Sequence, residues 1–283
     1  MRVGVIGVGR FGFFHCEKYK EMMGVDLVGI YDEDYARARA MSRKFNCKSF
    51  ISTDSLLDEV DAVSICTPTA THFMYANEAL TRYTHVFVEK PICTQWRQAQ
   101  VLVSVAELNN LVLQVGHIER FNESLVRASK NISSPITISS VRTCAYNGRC
   151  RDVDVILDLM IHDIDIIASY MGEPSKVSAK GRKFYDDHLD EVTARLDFTN
   201  GRMAELRANR NSLTDERLMS FNFDSEPPIN INFHQKSNDA LMEEVKEFIR
   251  SIEDRTRPTV SGTEGLIALK IANTIREAVE RNV

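Results

Sequence analysis

The stretch DLMIHDID, residues 158–165, carries residue types from which acid–base chemistry is built. On a helix, Asp158, His162 and Asp165 fall at i, i+4 and i+7 and share one face. An imidazole can take a proton from an alcohol near neutral pH, and a carboxylate one turn away can orient it. A polar stripe is also the ordinary solvent face of a helix, and on these eight residues the two readings balance. The surroundings shift the balance: Leu157, Leu159, Met160, Ile161, Ile164, Ile166 and Ile167 leave the stripe narrow. A helix so apolar is buried on most sides, and its carboxylates must be paired or must line a cavity. Asp163 and Asp165 are candidates to fix the helix to a neighbouring sheet or to groups of the first domain.

A second constellation opens the chain. GVIGVGRFG holds Gly7-x-Gly9-x-x-Gly12, with Arg10 and Phe11 inside it, directly after a strand and before a helix. The first glycine permits a tight turn and the second lets a pyrophosphate approach the backbone. The third allows close helix–strand packing, while the helix N-terminus faces the phosphates. Asp32 ends the second strand twenty residues beyond Gly12, placed to accept hydrogen bonds from an adenosine ribose and to repel a 2′-phosphate. NAD is therefore expected rather than NADP, although Arg10 could still contact a phosphate. In the plainer alternative the glycines only make a turn and Asp32 caps the next helix.

Two strand ends complete the set. HVFVEKP puts Glu89 and Lys90 at the carboxyl end of a buried strand, where open α/β sheets bind ligands. Pro91 biases Lys90 towards an extended conformation. A lysine beside a nicotinamide would donate to a reacting oxygen; alone, the pair could equally begin a solvated loop. CTPTATH ends another strand, where Thr67 and Pro68 would shape the cofactor's edge and His72 serves either as a local cap or as a cofactor contact.

These residues need positioning elements. Strand-like runs at 2–7, 26–32, 62–68, 85–91 and 111–117 alternate with helical stretches at 11–23, 34–45, 54–58, 71–82 and 94–109. Continuous apolar strands between amphipathic helices predict a doubly wound parallel sheet covered on both faces. After residue 117 the pattern changes: a strand at 135–145, the helix at 153–171, then strands at 175–185, 190–198, 201–209, 215–224 and 228–234. Asn200-Gly201 between two alternating runs is a hairpin signal. Helices at 238–254 and 264–281 close the chain. The expected fold is α/β, with domain 1–117 built on the parallel sheet and domain 118–283 an α+β unit on a mostly antiparallel open sheet.

Composition bounds the rest. The chain has 283 residues, 43% hydrophobic, with net charge −5. No basic excess supports binding to nucleic acid or to a membrane surface. Six cysteines show no C-x-x-C pair, so no metal site is expected and the thiols read as reduced, as in the cytoplasm. No apolar run reaches spanning length, and with a strand opening the chain no signal peptide is expected.

In order along the chain, the glycine turn, CTPTATH, VEKP and the Asp-x-x-x-His helix resemble the Gfo/Idh/MocA sugar oxidoreductases, and the resemblance extends through the closing LMEEVKEFIRSIEDRTRPTVSGTEGLIALKIANTI. It implies a Rossmann domain that binds NAD, followed by a domain whose open sheet mediates assembly of a homodimer or homotetramer. It also implies Lys90, Asp158 and His162 as catalytic positions, the lysine and histidine surrounding the hydroxyl being oxidised. His162 would be the base, Asp158 its orienting partner, and Lys90 would polarise the oxygen. VGHIERFN (115–122) and YNGRCRDVDVILDLMIHDIDI (146–166) look most like the UDP-N-acetylglucosamine 3-dehydrogenase subgroup, whose 3-keto product an aminotransferase can use in making amino-substituted lipid A. A nucleotide-sugar substrate brings two phosphate charges, for which Arg120, Arg149 and Arg151 are candidates; each could equally be a surface charge or an interdomain ion pair. His117, Asn122 and Asn147 are candidates for the sugar. A free sugar or cyclitol substrate, or an NAD-binding regulator without catalysis, are the alternatives.

Overall fold

The computed structural model describes residues 1–145, 153–185, 187–235 and 238–281. The β-branched runs of the first part become β1 (Arg2–Ile6), β2 (Asp26–Tyr31), β3 (Lys48–Ser49), β4 (Ala62–Ile65), β5 (His85–Glu89) and β6 (Leu113–Gly116). Between them run α1 (Arg10–Glu21), α2 (Tyr35–Phe45), α3 (Thr53–Leu57), α4 (Thr69–Thr81) and α5 (Trp96–Leu108). The strands are all parallel, in the order β3-β2-β1-β4-β5-β6. The order reverses between β1 and β4, where such a sheet leaves a crevice beyond its carboxyl ends. Only β3 has no counterpart in the sequence reading; at two residues it is too short to show a pattern.

Beyond β6 a short 3₁₀ turn (Ile118–Phe121) leads to α6 (Glu123–Ser129), neither of which periodicity announces. The second sheet contains β7 (Thr137–Thr143), β8 (Lys176–Arg182), β9 (Glu191–Asp197), β10 (Met203–Asn209), β11 (Glu216–Asn222) and β12 (Ile229–Asn232), in the order β12-β11-β7-β10-β9-β8. Every pair is antiparallel except β7 with β10. Val192, Ala194 and Leu196 face inward with Ala204, Leu206 and Ala208, whereas Thr193, Arg195, Glu205 and Arg207 are exposed. That alternation is the mark of a sheet with one buried face. The β9–β10 hairpin forms where expected, with Asn200 at φ 64 and Gly201 at φ 73.

The helix expected over 153–171 is not uniform. Residues Ile156–Met160 wind as a π-helical turn before α7 (Ile161–Met171) continues as an α-helix. Asp154 anchors its start, its Oδ1 accepting the amides of Ile156 (3.1 Å) and Leu157 (3.0 Å) and its Oδ2 accepting from Arg276 Nε (2.6 Å). The closing helices are α8 (Ala240–Glu253) and α9 (Gly262–Glu280).

Contacts divide the chain into two compact units, Met1–Gly116 with Leu241–Leu266, and His117–Ala240 with Ile267–Val283. The first unit therefore recovers a segment that chain order alone assigns to the second. Val245, Phe248 and Ile249 of α8 join the core made by Val3, Val5, Tyr19, Leu27, Ile30 and Phe87. Gln114 Nε2 donates to the Glu244 carbonyl at 2.9 Å, and Val115 N to the Val260 carbonyl at 3.0 Å. No helix among the described residues is long and apolar enough to cross a membrane.

Candidate active site

In the first unit the glycine turn sits at the β1/β4 reversal. Gly7 has φ +84, and its N–H donates to the Tyr31 carbonyl at 2.8 Å. A Cβ there would stand 2.7 Å from Thr67 Cγ2, and one at Gly12 would stand 1.9 Å from the Gly7 carbonyl oxygen. Both glycines are therefore demanded by packing. Gly9 differs: a Cβ at that position would meet nothing within 4 Å. This open cradle at the N-terminus of α1, whose cap residue has no side chain to occupy the first amides, fits a pyrophosphate. Arg10 is exposed and Phe11 half-exposed at its rim.

Asp32 has structural work within the unit. Its Oδ2 accepts Val8 N–H at 2.8 Å and so braces the glycine turn, and its Oδ1 accepts Asp34 N–H at 2.9 Å. The cap of α2 is Asp34, which accepts Arg37 N–H at 3.1 Å, so the plain helix-cap role falls to the neighbour. Arg37 Nη1 lies 3.3 Å from both Asp32 oxygens.

The ends of β4 and β5 are tied together by His72. Buried at the start of α4, its Nε2 lies 2.8 Å from the Thr67 carbonyl and its Nδ1 2.8 Å from the Pro91 carbonyl. Thr67 Oγ1 accepts from Thr71 Oγ1 at 2.9 Å, and Pro68 is exposed. Lys90 is partly exposed and joins Pro91 through a cis peptide bond. Glu89 Oε1 lies 3.1 Å from His15 Nε2, a partner that sequence spacing did not reveal.

In the second unit the structure brings His117 and His162 together: their rings stand edge to face, centroids 6.4 Å apart. Both segments lead to one guanidinium. Arg142 of β7 donates through Nη1 to Glu119 (2.8 Å) and through Nη2 to Asp163 (2.8 Å). Burial opposes the Arg142 charge, yet the two carboxylates overcome it and raise its pKa. Burial likewise pushes the Asp163 carboxyl above its usual range, although Arg142 pulls the other way. Asp163 thus fixes its helix to the second sheet. Arg120 Nη1 lies 3.8 Å from Asp165 Oδ2. Asn122 is buried, with its amide engaged by Glu119, the Phe233 carbonyl and Ser124 N–H. Asp158 and His162 are both partly exposed, the first within the π turn. Asn147, Arg149 and Arg151 lie outside the described residues.

Arg142 and Glu119 are the residues that motif reading missed. Strand parity holds the signal: Ile138, Ser140 and Arg142 share the inward face of β7, so two polar side chains point at a core.

A family model described as "Oxidoreductase family, NAD-binding Rossmann fold" matches residues 1–117, and one described as "GFO/IDH/MocA C-terminal domain" matches 147–225. The UDP-N-acetylglucosamine 3-dehydrogenase of Acidithiobacillus ferrooxidans is 34% identical, with 99% of this chain and 97% of that protein covered. Its solved structure superimposes with a TM-score of 0.95 over 99% of this chain and 98% of the other. The myo-inositol 2-dehydrogenase of Thermotoga maritima is 25% identical over 99% of this chain and 96% of its own length. With a glycine cradle at the switch point of a parallel sheet and an open second sheet behind the histidine helix, the chain belongs to the Gfo/Idh/MocA family of NAD-binding oxidoreductases, dehydrogenases that act on sugar hydroxyl groups.

Proposed function

We propose that this protein oxidises the 3-hydroxyl of UDP-N-acetylglucosamine to a ketone, with NAD as the hydride acceptor. The observation that carries the reading is the end-to-end likeness to the Acidithiobacillus enzyme, 34% identical over 99% of the chain. NAD, when bound, supplies the redox chemistry. The protein's part is to hold it and to manage one proton. The amides at the start of α1 receive the pyrophosphate, Asp32 accepts from the adenosine ribose, and Thr67, Pro68 and His72 form the edge towards the nicotinamide. His162 accepts the hydroxyl proton, Asp158 orients it, and the Lys90 ammonium donates to the same oxygen as negative charge develops there. His117, beside His162, is assigned to the sugar with Asn122 and Asn147. Arg120, Arg149 and Arg151 are assigned to the diphosphate, whose geometry guanidinium groups match. The product is a 3-keto nucleotide sugar, suited to an aminotransferase. We further assign a cytoplasmic protein that assembles as a homo-oligomer through the exposed face of its second sheet.

The second reading, oxidation of a free sugar or cyclitol, draws on the likeness to myo-inositol 2-dehydrogenase. Purified protein given NAD and either UDP-N-acetylglucosamine or myo-inositol separates them. NADH formation with the nucleotide sugar, inhibited competitively by UDP, is expected. Turnover of the cyclitol without UDP inhibition overturns the proposal. Unchanged NADH formation in both Lys90→Ala and His162→Ala would overturn the residue roles.

A further inference from the structure

Four side chains of the first unit form a hydrogen-bond chain that the reaction above leaves unused. His15 and Tyr19 lie one turn apart on α1, Ser64 lies on β4, and Glu89 ends β5. Tyr19 Oη is 2.6 Å from Ser64 Oγ, Ser64 Oγ is 3.0 Å from His15 Nδ1, and His15 Nε2 is 3.1 Å from Glu89 Oε1. His15, Tyr19 and Ser64 are each 0% exposed. Phe87 packs edge-on against the imidazole at 4.8 Å.

One arrangement of protons gives every group a partner. An ionised Glu89 offers only acceptors, so His15 Nε2 carries the hydrogen. Nδ1 of the neutral ring is then an acceptor and receives Ser64 O–H. Ser64 Oγ in turn accepts from the Tyr19 phenol, whose proton burial holds in place. All three bonds point the same way, towards the carboxylate, and such aligned chains reinforce one another in a low dielectric.

The carboxylate at the end of that chain has one further partner and a space kept open beside it. Its Oε2 accepts Lys90 N–H at 3.3 Å. A Cβ at Gly116 would stand 3.0 Å from the same oxygen, so the glycine ending β6 leaves it room. Glu89, expected from its place at a strand end to meet the cofactor, has its two oxygens turned to His15 and to the Lys90 amide.

We infer that His15 is a positioning residue: its Nε2–H fixes the Glu89 carboxylate, which fixes the backbone from which Lys90 reaches the reacting oxygen. The inference rests on the role given to Lys90 above. Misplacing a reacting group by about 1 Å costs on the order of 100-fold in rate, so a lost anchor should appear in kcat rather than in binding.

Two substitutions separate this role from packing. His15→Gln keeps an amide N–H near the Nε2 position and should retain turnover within about threefold, well inside the 100-fold cost of misplacement. His15→Asn puts its amide near Nδ1, satisfies Ser64 and leaves Glu89 without its donor. Its kcat should fall roughly 10- to 100-fold, while the Kd for NAD and the KM for the nucleotide sugar stay near wild type. Acting through the lysine, His15→Asn should add no further loss to Lys90→Ala. Wild-type kcat in His15→Asn overturns the inference. So do equal losses in both variants that track the melting temperature, or losses that multiply in the double variant. If Lys90→Ala alone keeps full turnover, it is the lysine's role that fails and this inference falls with it; an inactive Lys90→Ala beside an active His15→Asn overturns this inference only.

Discussion

Arg142 and Asp163, both buried, are joined by three hydrogen bonds of 3.2, 3.2 and 2.8 Å. The remaining arm of the guanidinium takes Glu119. One cation therefore holds two carboxylates, one adjacent in sequence to His162 and the other two residues after His117. A strand residue thereby ties together the two segments that carry the paired histidine rings.

Replacing Arg142 by Met should expose what this cation holds. The substitution leaves two carboxylates buried without their counter-charge, and removing one partner of a buried ion pair costs about 3–5 kcal/mol. A large fall in melting temperature is expected by calorimetry, with turnover lost in the protein that remains folded. Arg142→Lys should fall between, because an ammonium cannot span both carboxylates in a fixed fork. Wild-type melting of Arg142→Met would remove the cluster from the account.

The glycine turn makes a sharper contrast. Gly12→Ala would force a Cβ to within 1.9 Å of the Gly7 carbonyl oxygen, so it should lower the melting temperature and abolish NAD binding together. Gly9→Ala meets nothing within 4 Å and has φ −67; it should melt like wild type and yet bind NAD at least roughly tenfold more weakly, about 1.4 kcal/mol. Calorimetry and NAD titration on the two variants test the assignment of the cradle. Normal NAD affinity in Gly9→Ala would mean that the open space is not the phosphate site.

Much of this was legible because local patterns and global fold agree. Apolar strands between amphipathic helices announced the parallel sheet, and alternation announced the half-buried second sheet. Besides the two-residue β3, three features escaped, each for a reason. The 3₁₀ turn at Ile118–Phe121 and α6 are too short to show a period. The π turn at Ile156–Met160 breaks the uniform spacing on which a helical stripe is read. The return of α8 to the first unit depends on contacts 130 residues apart, such as Gln114 with Glu244, which no local window contains. The buried residues His15 and Arg142 belong to the same class: each residue type is visible, but its hydrogen-bond partners lie on other elements.

Asp190 gives a pH signature. Burial pushes its carboxyl up, but the Phe184 amide, Arg210 and the Tyr185 amide together hold it below the usual range. The bonds measure 2.6, 2.7 and 3.1 Å. A carboxyl whose folded-state pKa is depressed contributes stability above its unfolded value, near 3.9, and loses it as pH falls through the folded one. Asp190→Asn should therefore cost about 1–3 kcal/mol at neutral pH. The gap to wild type should close as pH is lowered below about 4. Melting curves across that range check it, and a deficit independent of pH would assign the loss to shape rather than charge. Because Arg210 also donates to the Val153 carbonyl at 2.9 Å, turnover should weaken with the start of the histidine helix.

The cofactor role proposed for Asp32 predicts two effects that one substitution can part. Its charge disfavours a 2′-phosphate, while its Oδ2 braces Val8 N–H in the glycine turn. Arg37, 46% exposed and 3.3 Å away, is already placed beside it. Asp32→Ser removes the charge and releases Nη1 of that guanidinium, whose Nη2 stays 3.3 Å from Asp34 Oδ2 and whose geometry suits phosphate. NADP should gain on NAD in kcat/KM by on the order of 10- to 100-fold, the size expected for one charge contact at a partly screened site. Affinity for NAD should also fall, because the turn loses its brace. Adding Arg37→Ala should abolish the NADP gain without restoring NAD, since the arginine serves the phosphate and the aspartate serves the turn. If Asp32→Ser leaves the NAD-to-NADP ratio where it was, the ribose end of the cofactor lies elsewhere, and the carboxylate's work is the turn alone.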